Sequence, residues 1–159
     1  MSVETIRRIV LLRHAKADWG QETDHERPLA ERGRKDAPVA GRRLAQSGID
    51  FDLALCSTAA RTRETWKLAV HELAERPRTV YEERIYEASP GELIALLDEV
   101  PEDVDDVLVI GHNPGVHGLA RMNHSGFPTA AYAVLTFTGN WKSVEPGSCR
   151  LVEFWTPHD

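Results

Sequence analysis

The strongest constraint on the fold of this 159-residue chain is a pattern of short apolar runs separated by stretches with helix signals. Ile6–Leu12, Leu53–Cys56 and Val107–Ile110 are flanked on both sides by polar residues and read as strands. Between them, Leu29–Gln46 reads as a helix that stops before Gly48, a natural C′ residue, with Pro38 at a kink or an early helical turn. Ser57 or Thr58 is placed to cap a helix running to about Leu73. Ser89-Pro90-Gly91-Glu92 has the form of a capping box with proline at N1, opening a helix through Leu97, and a fourth helix starts after Pro114. Late in the chain, Ala131–Phe137 and Arg150–Trp155 enclose Thr138-Gly139-Asn140 and Gly147, which predicts an antiparallel pair. Strands alternating with helices predict an α/β three-layer sandwich, a mostly parallel mixed sheet with helices on both faces. The length suits one domain over residues 1–159, with a core large enough to need no staples.

Core strands usually stop in Gly, Asn, Asp or Pro. Here Ile6–Leu12 runs directly into Arg13 and His14, Leu53–Cys56 is followed by Ser57 and then Arg61, and Val107–Ile110 leads to Gly111-His112. In an open parallel sheet the ligand crevice lies outside the carboxyl ends of the strands. Arg13, His14, Arg61 and His112 are therefore expected to converge. Guanidinium groups bind phosphate bidentately, and a neutral imidazole is a competent nucleophile toward phosphorus. Arg13 and Arg61 suit the charge-stabilising role and His14 suits attack. His112, protonated by the phosphate's own charge, adds a donor. None of these roles requires a metal or another cofactor, and none is expected.

The remaining features mostly exclude. A formal net charge of −6 argues against a nucleic-acid or anionic-membrane partner. No apolar run reaches the length of a membrane span or a signal peptide, and Cys56 and Cys149 form neither a disulfide framework nor a zinc spacing. A reduced, cytoplasmic protein is the expectation. Cys56 and Arg61 imitate a cysteine phosphatase loop, but the spacing is C-x4-R rather than C-x5-R and the loop has no glycine. The P-loop pattern is absent. His25, His71, His117, His124 and His158 lack metal-ligand spacing and read as solvated or satisfied side chains. Trp19, Trp66, Trp141 and Trp155 read as core or rim packing, with Trp19 close enough to His14 in sequence to wall a pocket. Arg63 lies on a different side of its helix from Arg61 and reads as a surface charge.

The segment LLRHAKADW resembles the R-H-G signature of the histidine phosphatase, or phosphoglycerate mutase-like, superfamily. CSTAARTRET is similar to that superfamily's S-x-x-x-R segment, and VIGHNPGV to its second-histidine motif. HERPLAERGRKDA and FPTAAYAVLTF narrow the resemblance to the small SixA-like phosphohistidine phosphatases. The resemblance implies a single histidine phosphatase domain in which His14 is phosphorylated, Arg13 and Arg61 clamp the phosphoryl group and His112 completes the pocket. It adds Arg27 as a further phosphate-reaching arginine and Ser57 as a hydrogen-bonding helper. EERIYE is similar to the E-R-x-Y stretch of the mutases, which implies Glu83 as the general acid, with Glu82 and Asp18 as alternatives. The signature departs from the family at Ala15, which stands where glycine is usual. Alanine is costly there if the position needs a positive φ and harmless if it needs only smallness, and the second reading is preferred. The implied function is a metal-independent phosphatase working through a covalent phosphohistidine, with a phosphohistidine-bearing protein as substrate. The alternatives are a phosphatase for a small phosphate ester, such as a sugar or nucleotide phosphate, and a non-catalytic phosphate-binding module. The sequence carries no sign of the oligomeric state.

Overall fold

The computed structural model describes residues 5–121, 126–145 and 147–158, so His124 lies outside the described residues. Six strands and four α-helices follow one another as β1 (Ile6–Arg13), α1 (Glu31–Gln46), β2 (Leu53–Cys56), α2 (Ala60–Val70), β3 (Arg78–Tyr81), α3 (Pro90–Leu97), β4 (Asp106–Gly111), α4 (Gly115–Ala120), β5 (Tyr132–Thr138) and β6 (Arg150–Trp155). They build a single mixed sheet in the order β3-β2-β4-β1-β5-β6. The first four strands in that order are mutually parallel, and β5 and β6 join antiparallel. This is the α/β architecture expected from the alternation of strands and helices. No helix among the described residues is long and apolar enough to cross a membrane.

Alternation along the strands divides the core in two. Ile9 and Leu11 of β1, Leu53 and Leu55 of β2 and Val107 and Val109 of β4 face α3 and α4. Val10 and Leu12, Ala54 and Cys56, and Leu108 and Ile110 face α1 and α2. The four aliphatic residues of β1 from Ile9 to Leu12 are fully buried. Each such burial contributes about 1.5–3 kcal/mol, which anchors the strand that ends at the site. Gly41 lets α1 and α2 pack directly, since a Cβ there would lie 2.3 Å from the Ala69 carbonyl oxygen.

Three local expectations are corrected. The strand β3 was not foreseen, because R-T-V-Y is short and its residues are exposed or only partly buried. Pro38 falls inside α1, well past its first turn, where it removes the donor for the Arg34 carbonyl. The helix α2 starts at Ala60 behind Ala59, with no side-chain cap, and stops at Val70. Ser57 and Thr58 use their hydroxyls elsewhere, as described below. The capping box forms as expected: Glu92 N–H donates to Ser89 Oγ (3.1 Å), and Ser89 N–H donates to Glu92 Oε1 (3.0 Å).

Candidate active site

The strand ends meet because their registers bring them level. Arg13 pairs with Gly111, and both Leu12 and Cys56 flank Ile110. The ladder continues one residue past each strand: His14 N–H donates to the Gly111 carbonyl (3.1 Å) and Ser57 N–H to the Ile110 carbonyl (3.0 Å). No turn residue is needed at these ends, since the backbone stays extended and paired while the side chains leave the core. His14, Arg61 and His112 are buried at 7–8% exposure, at the shared carboxyl edge of β1, β2 and β4. The rings of His14 and His112 lie 5.3 Å apart, tilted by 51°.

Among the described residues the His14 side chain hydrogen-bonds to backbone. Its Nδ1 lies 2.7 Å from the Ala15 carbonyl oxygen. A carbonyl can only accept, so Nδ1 carries the proton and Nε2 keeps a free lone pair. Burial, more than the neighbouring charges of His112, Arg13 and Arg61, pushes the His14 pKa down to about 3, against the opposing bond to Ala15. The imidazole is therefore neutral, the state a nucleophile needs. Ala130 sits with φ 62° and directs its N–H at the carbonyls of both Arg13 (3.1 Å) and His14 (3.0 Å). A non-glycine residue in the left-handed region stores strain, here beside His14. Ala15 lies outside that region and is fully buried, so smallness is what its position requires. Gly33 secures the same loop, because a Cβ there would meet the Lys16 carbonyl oxygen at 2.1 Å.

Thr65 couples the loop that follows His14 to α2. Its hydroxyl donates to the Arg61 carbonyl (2.7 Å) and accepts from Ala15 N–H (2.9 Å). Arg13 donates through Nη1 to the Phe127 carbonyl (2.9 Å), which also accepts from Asn113 Nδ2 (3.0 Å). Arg13 Nε is buried with no partner among the described residues. Burial, and then the charge of Arg61, lower the Arg13 pKa. His112 Nε2 lies 2.8 Å from Ser57 Oγ, which also accepts from Ala59 N–H. Burial first, then Arg61, push the His112 pKa down to about 4.

A second tier sits above these groups. Asp24, in a 3-10 turn over Asp24–Glu26, accepts from Arg61 at its carbonyl oxygen (2.7 Å) and at Oδ2 (3.2 Å), and from Arg27 at Oδ1 (3.0 Å). Tyr86 donates its hydroxyl to the same carboxylate. That bond, followed by those from the arginines, holds the Asp24 pKa well below the ordinary carboxylate range. The Tyr86 ring meets His112 edge-on at 5.6 Å and His25 at 5.0 Å, and His25 Nε2 lies 3.0 Å from Thr58 Oγ1. The Arg27 guanidinium lies 3.6 Å above the Trp19 ring and donates to the Asp18 carbonyl (2.9 Å).

The structure thus brings together Arg13, His14, Arg61, His112 and Ser57, with Arg27 joined through Asp24. Glu83 stands in the turn that carries Tyr86 to the site. It is exposed in the 3-10 turn Glu83–Ile85, and its carboxylate makes no hydrogen bond or ion pair among the described residues. Of the alternatives, Glu82 is bound to Arg84 (2.7 Å), and Asp18 is exposed and offers its carbonyl to Arg27. From the E-R-x-Y stretch it is Tyr86, three residues on, that reaches the site. Trp19 walls Arg27 rather than His14, and His25 belongs to the rim instead of open solvent. Cys56 is buried with its thiol pushed up to about 12 by burial, which disables it as a nucleophile. Asp24, Tyr86 and Thr65 were missed by sequence reasoning. The only signal for Asp24 is its place three residues before Arg27. Among the described residues no cluster of three His, Cys, Asp or Glu side chains is arranged to hold a metal ion.

The profile of the histidine phosphatase superfamily (branch 1) matches residues 9–115, a span that holds Arg13, His14, Arg61 and His112. The uncharacterized protein Rv1276c of Mycobacterium tuberculosis is 38% identical over 161 residues, covering 92% of this chain and 99% of that protein. A Nakamurella multipartitia protein bearing the name SixA, phosphohistidine phosphatase, superposes with TM-score 0.81 at 30% identity, covering 97% of this chain and 98% of the other. An Agrobacterium tumefaciens protein of the same name gives TM-score 0.80 at 31% identity, over 95% and 98%. With the family's two histidines and two arginines gathered at one sheet edge, the chain belongs to the histidine phosphatase superfamily, in its SixA-like branch, and is a phosphatase.

Proposed function

We propose that this protein is a metal-independent hydrolase of phosphohistidine on proteins, working through phospho-His14. The observation that carries the reading is the bond from His14 Nδ1–H to the Ala15 carbonyl, which leaves the Nε2 lone pair available in a neutral imidazole. In the first step Nε2 bonds to phosphorus as the P–N bond breaks, and the electron pair returns to the leaving nitrogen of a substrate imidazole already protonated on its other ring nitrogen, which departs neutral. Water then attacks phosphorus, the bond to Nε2 breaks, and His14 recovers its lone pair as inorganic phosphate departs. Arg13 and Arg61 stabilise the equatorial oxygens, and a dianion among them favours the imidazolium form of His112 as a further donor. Arginine and histidine thus fill every charge-stabilising role.

The leaving group supports phosphohistidine over an ester. An alkoxide needs a positioned acid, whereas a phosphohistidine protonated on its other ring nitrogen leaves as a neutral imidazole. Among the described residues the carboxylate hydrogen-bonded to this cluster, Asp24, is held ionised by Tyr86, Arg27 and Arg61. Proteins bearing the SixA name share the fold along nearly the whole chain.

The test is kcat/KM on a phosphohistidine peptide against a panel of sugar, nucleotide and aryl phosphates. The reading expects the peptide to lead. A small ester turned over far faster than any phosphohistidine peptide overturns it.

A further inference from the structure

Beside the catalytic crevice, on another side of the first turn of α2, lies a separate cavity of about 400 Å³. Its walls carry Arg63, Lys67 and Arg76, with the Tyr81 ring at the end of β3 and Trp66 beneath. In a chain of net charge −6, three cations in one cavity are an anomaly. Among the described residues none of the three forms an ion pair. The one carboxylate in the lining, Glu64, is engaged on its other side, where Oε1 accepts from Leu29 N–H (3.2 Å). Arg63 stands 5.9 Å from the centre of the Tyr81 ring, which is 51% exposed. The fields of Arg63 and Arg76 both reach the Tyr81 hydroxyl. Trp66 donates its Nε1–H to Thr79 Oγ1, so it offers the cavity apolar surface only.

Unpaired guanidinium and ammonium groups around an exposed ring recognise oxyanions carried on a chain with some apolar length. The placement says which molecule carries them. Ala60 lines this cavity and Arg61, the next residue, serves the crevice. Tyr81 pairs with Cys56, the residue before Ser57. β3 is also an edge strand of the sheet, so no further strand closes this side. A polypeptide seated on His14 can therefore extend along this side toward the cavity. Resting on the phosphatase reading above, we propose that Arg63, Lys67, Arg76 and Tyr81 form a docking site for glutamate and aspartate side chains flanking the phosphorylated residue of a polypeptide substrate. The substrate class is an acidic phosphohistidine segment, and the site acts on KM rather than on the chemical step.

The test uses two labelled peptides, identical except for a block of glutamates or of glutamines beside one histidine. Each is titrated by fluorescence anisotropy against the full chain and against the R63Q/K67Q/R76Q variant, whose altered positions are all exposed. The glutamate peptide is expected to bind the wild type at least ~10-fold tighter, a preference that shrinks with salt and falls within about twofold in the variant. Equal binding of the two peptides to the wild type, or a preference that survives in the variant, overturns the proposal. The same peptides phosphorylated on histidine are then assayed for kcat/KM beside an aryl phosphate, whose turnover the variant should keep. Peptides that bind with the expected preference but are never dephosphorylated, while the aryl phosphate is, overturn the substrate reading and leave the docking site standing. Peptides dephosphorylated equally well with and without glutamates do the reverse.

Discussion

Asp24 grips Arg61 twice, through its backbone carbonyl at 2.7 Å and through Oδ2 at 3.2 Å. The same carboxylate takes Arg27 and the Tyr86 hydroxyl, so one acid orients two cations and an aromatic rim. It also places a negative charge beside the groups meant for a phosphoryl dianion. Orientation and repulsion act on different kinetic constants. In Asp24→Asn, kcat on an aryl phosphate should fall about 10-fold as Arg61 loses its charged partner, while phosphate inhibition should strengthen several-fold. Steady-state kinetics with inorganic phosphate as inhibitor separates the two. A fall in kcat with weaker phosphate binding contradicts this division of roles.

In the proposed mechanism Arg61 is the more direct participant. Arg61→Ala should lower kcat by about 10²–10³, the loss typical of removing one charge-stabilising donor from a transition state. Arg61→Lys should recover little, since an ammonium cannot reproduce the fork that spans Asp24 and a phosphoryl oxygen. Unchanged turnover in either variant removes Arg61 from the mechanism.

The two histidines make stability acid-sensitive. Both folded pKa values lie below the ordinary imidazole value of 6.5, at about 3 for His14 and about 4 for His112. Between those values and 6.5 the unfolded chain binds more protons than the folded one, so stability falls as pH falls through that window. The slope reaches about 1.4 kcal/mol per pH unit for each group. Urea unfolding of wild type and of His14→Gln at pH 7.5 and pH 5 should show a larger acid loss in the wild type. Equal losses would place the proton uptake elsewhere.

Gly33 ties the fold to the loop that follows His14. With the Lys16 carbonyl oxygen 2.1 Å from where a Cβ would stand, Gly33→Ala must push back the backbone that follows Ala15. We expect a destabilisation of about 1–3 kcal/mol and a loss of activity larger than stability alone explains. Thermal unfolding and kcat measured on the same preparation decide it. Full activity per folded molecule would show that the loop tolerates the shift.

What the sequence disclosed follows the range of the interactions involved. Arg13, His14, Ser57, Arg61 and His112 were legible because each lies at or just beyond an apolar run, and parallel strands of matching register carry such positions to one edge. Asp24 and Tyr86 sit in irregular segments without hydrophobic period, and their roles exist only once three loops have folded together. Within the E-R-x-Y stretch the resemblance singles out Glu83, whereas the contacts of Tyr86 with Asp24 and His112 have no local sequence signal. The cap of α2 was misplaced for a related reason. Ser57 and Thr58 have the right hydroxyls, yet His112 and His25 claim them. β3 escaped notice because an edge strand of R-T-V-Y needs only modest burial to pair.

The central claim is that a neutral His14 attacks phosphorus through Nε2. The most direct test incubates wild type and His14→Ala with an aryl phosphate in excess EDTA, quenches rapidly into alkaline denaturant and maps phosphate by mass spectrometry. The account predicts a base-stable, acid-labile phosphoryl group on the peptide containing His14 in the wild type, and loss of both label and turnover in the variant. Turnover that survives in His14→Ala, or label on any other residue, would contradict it.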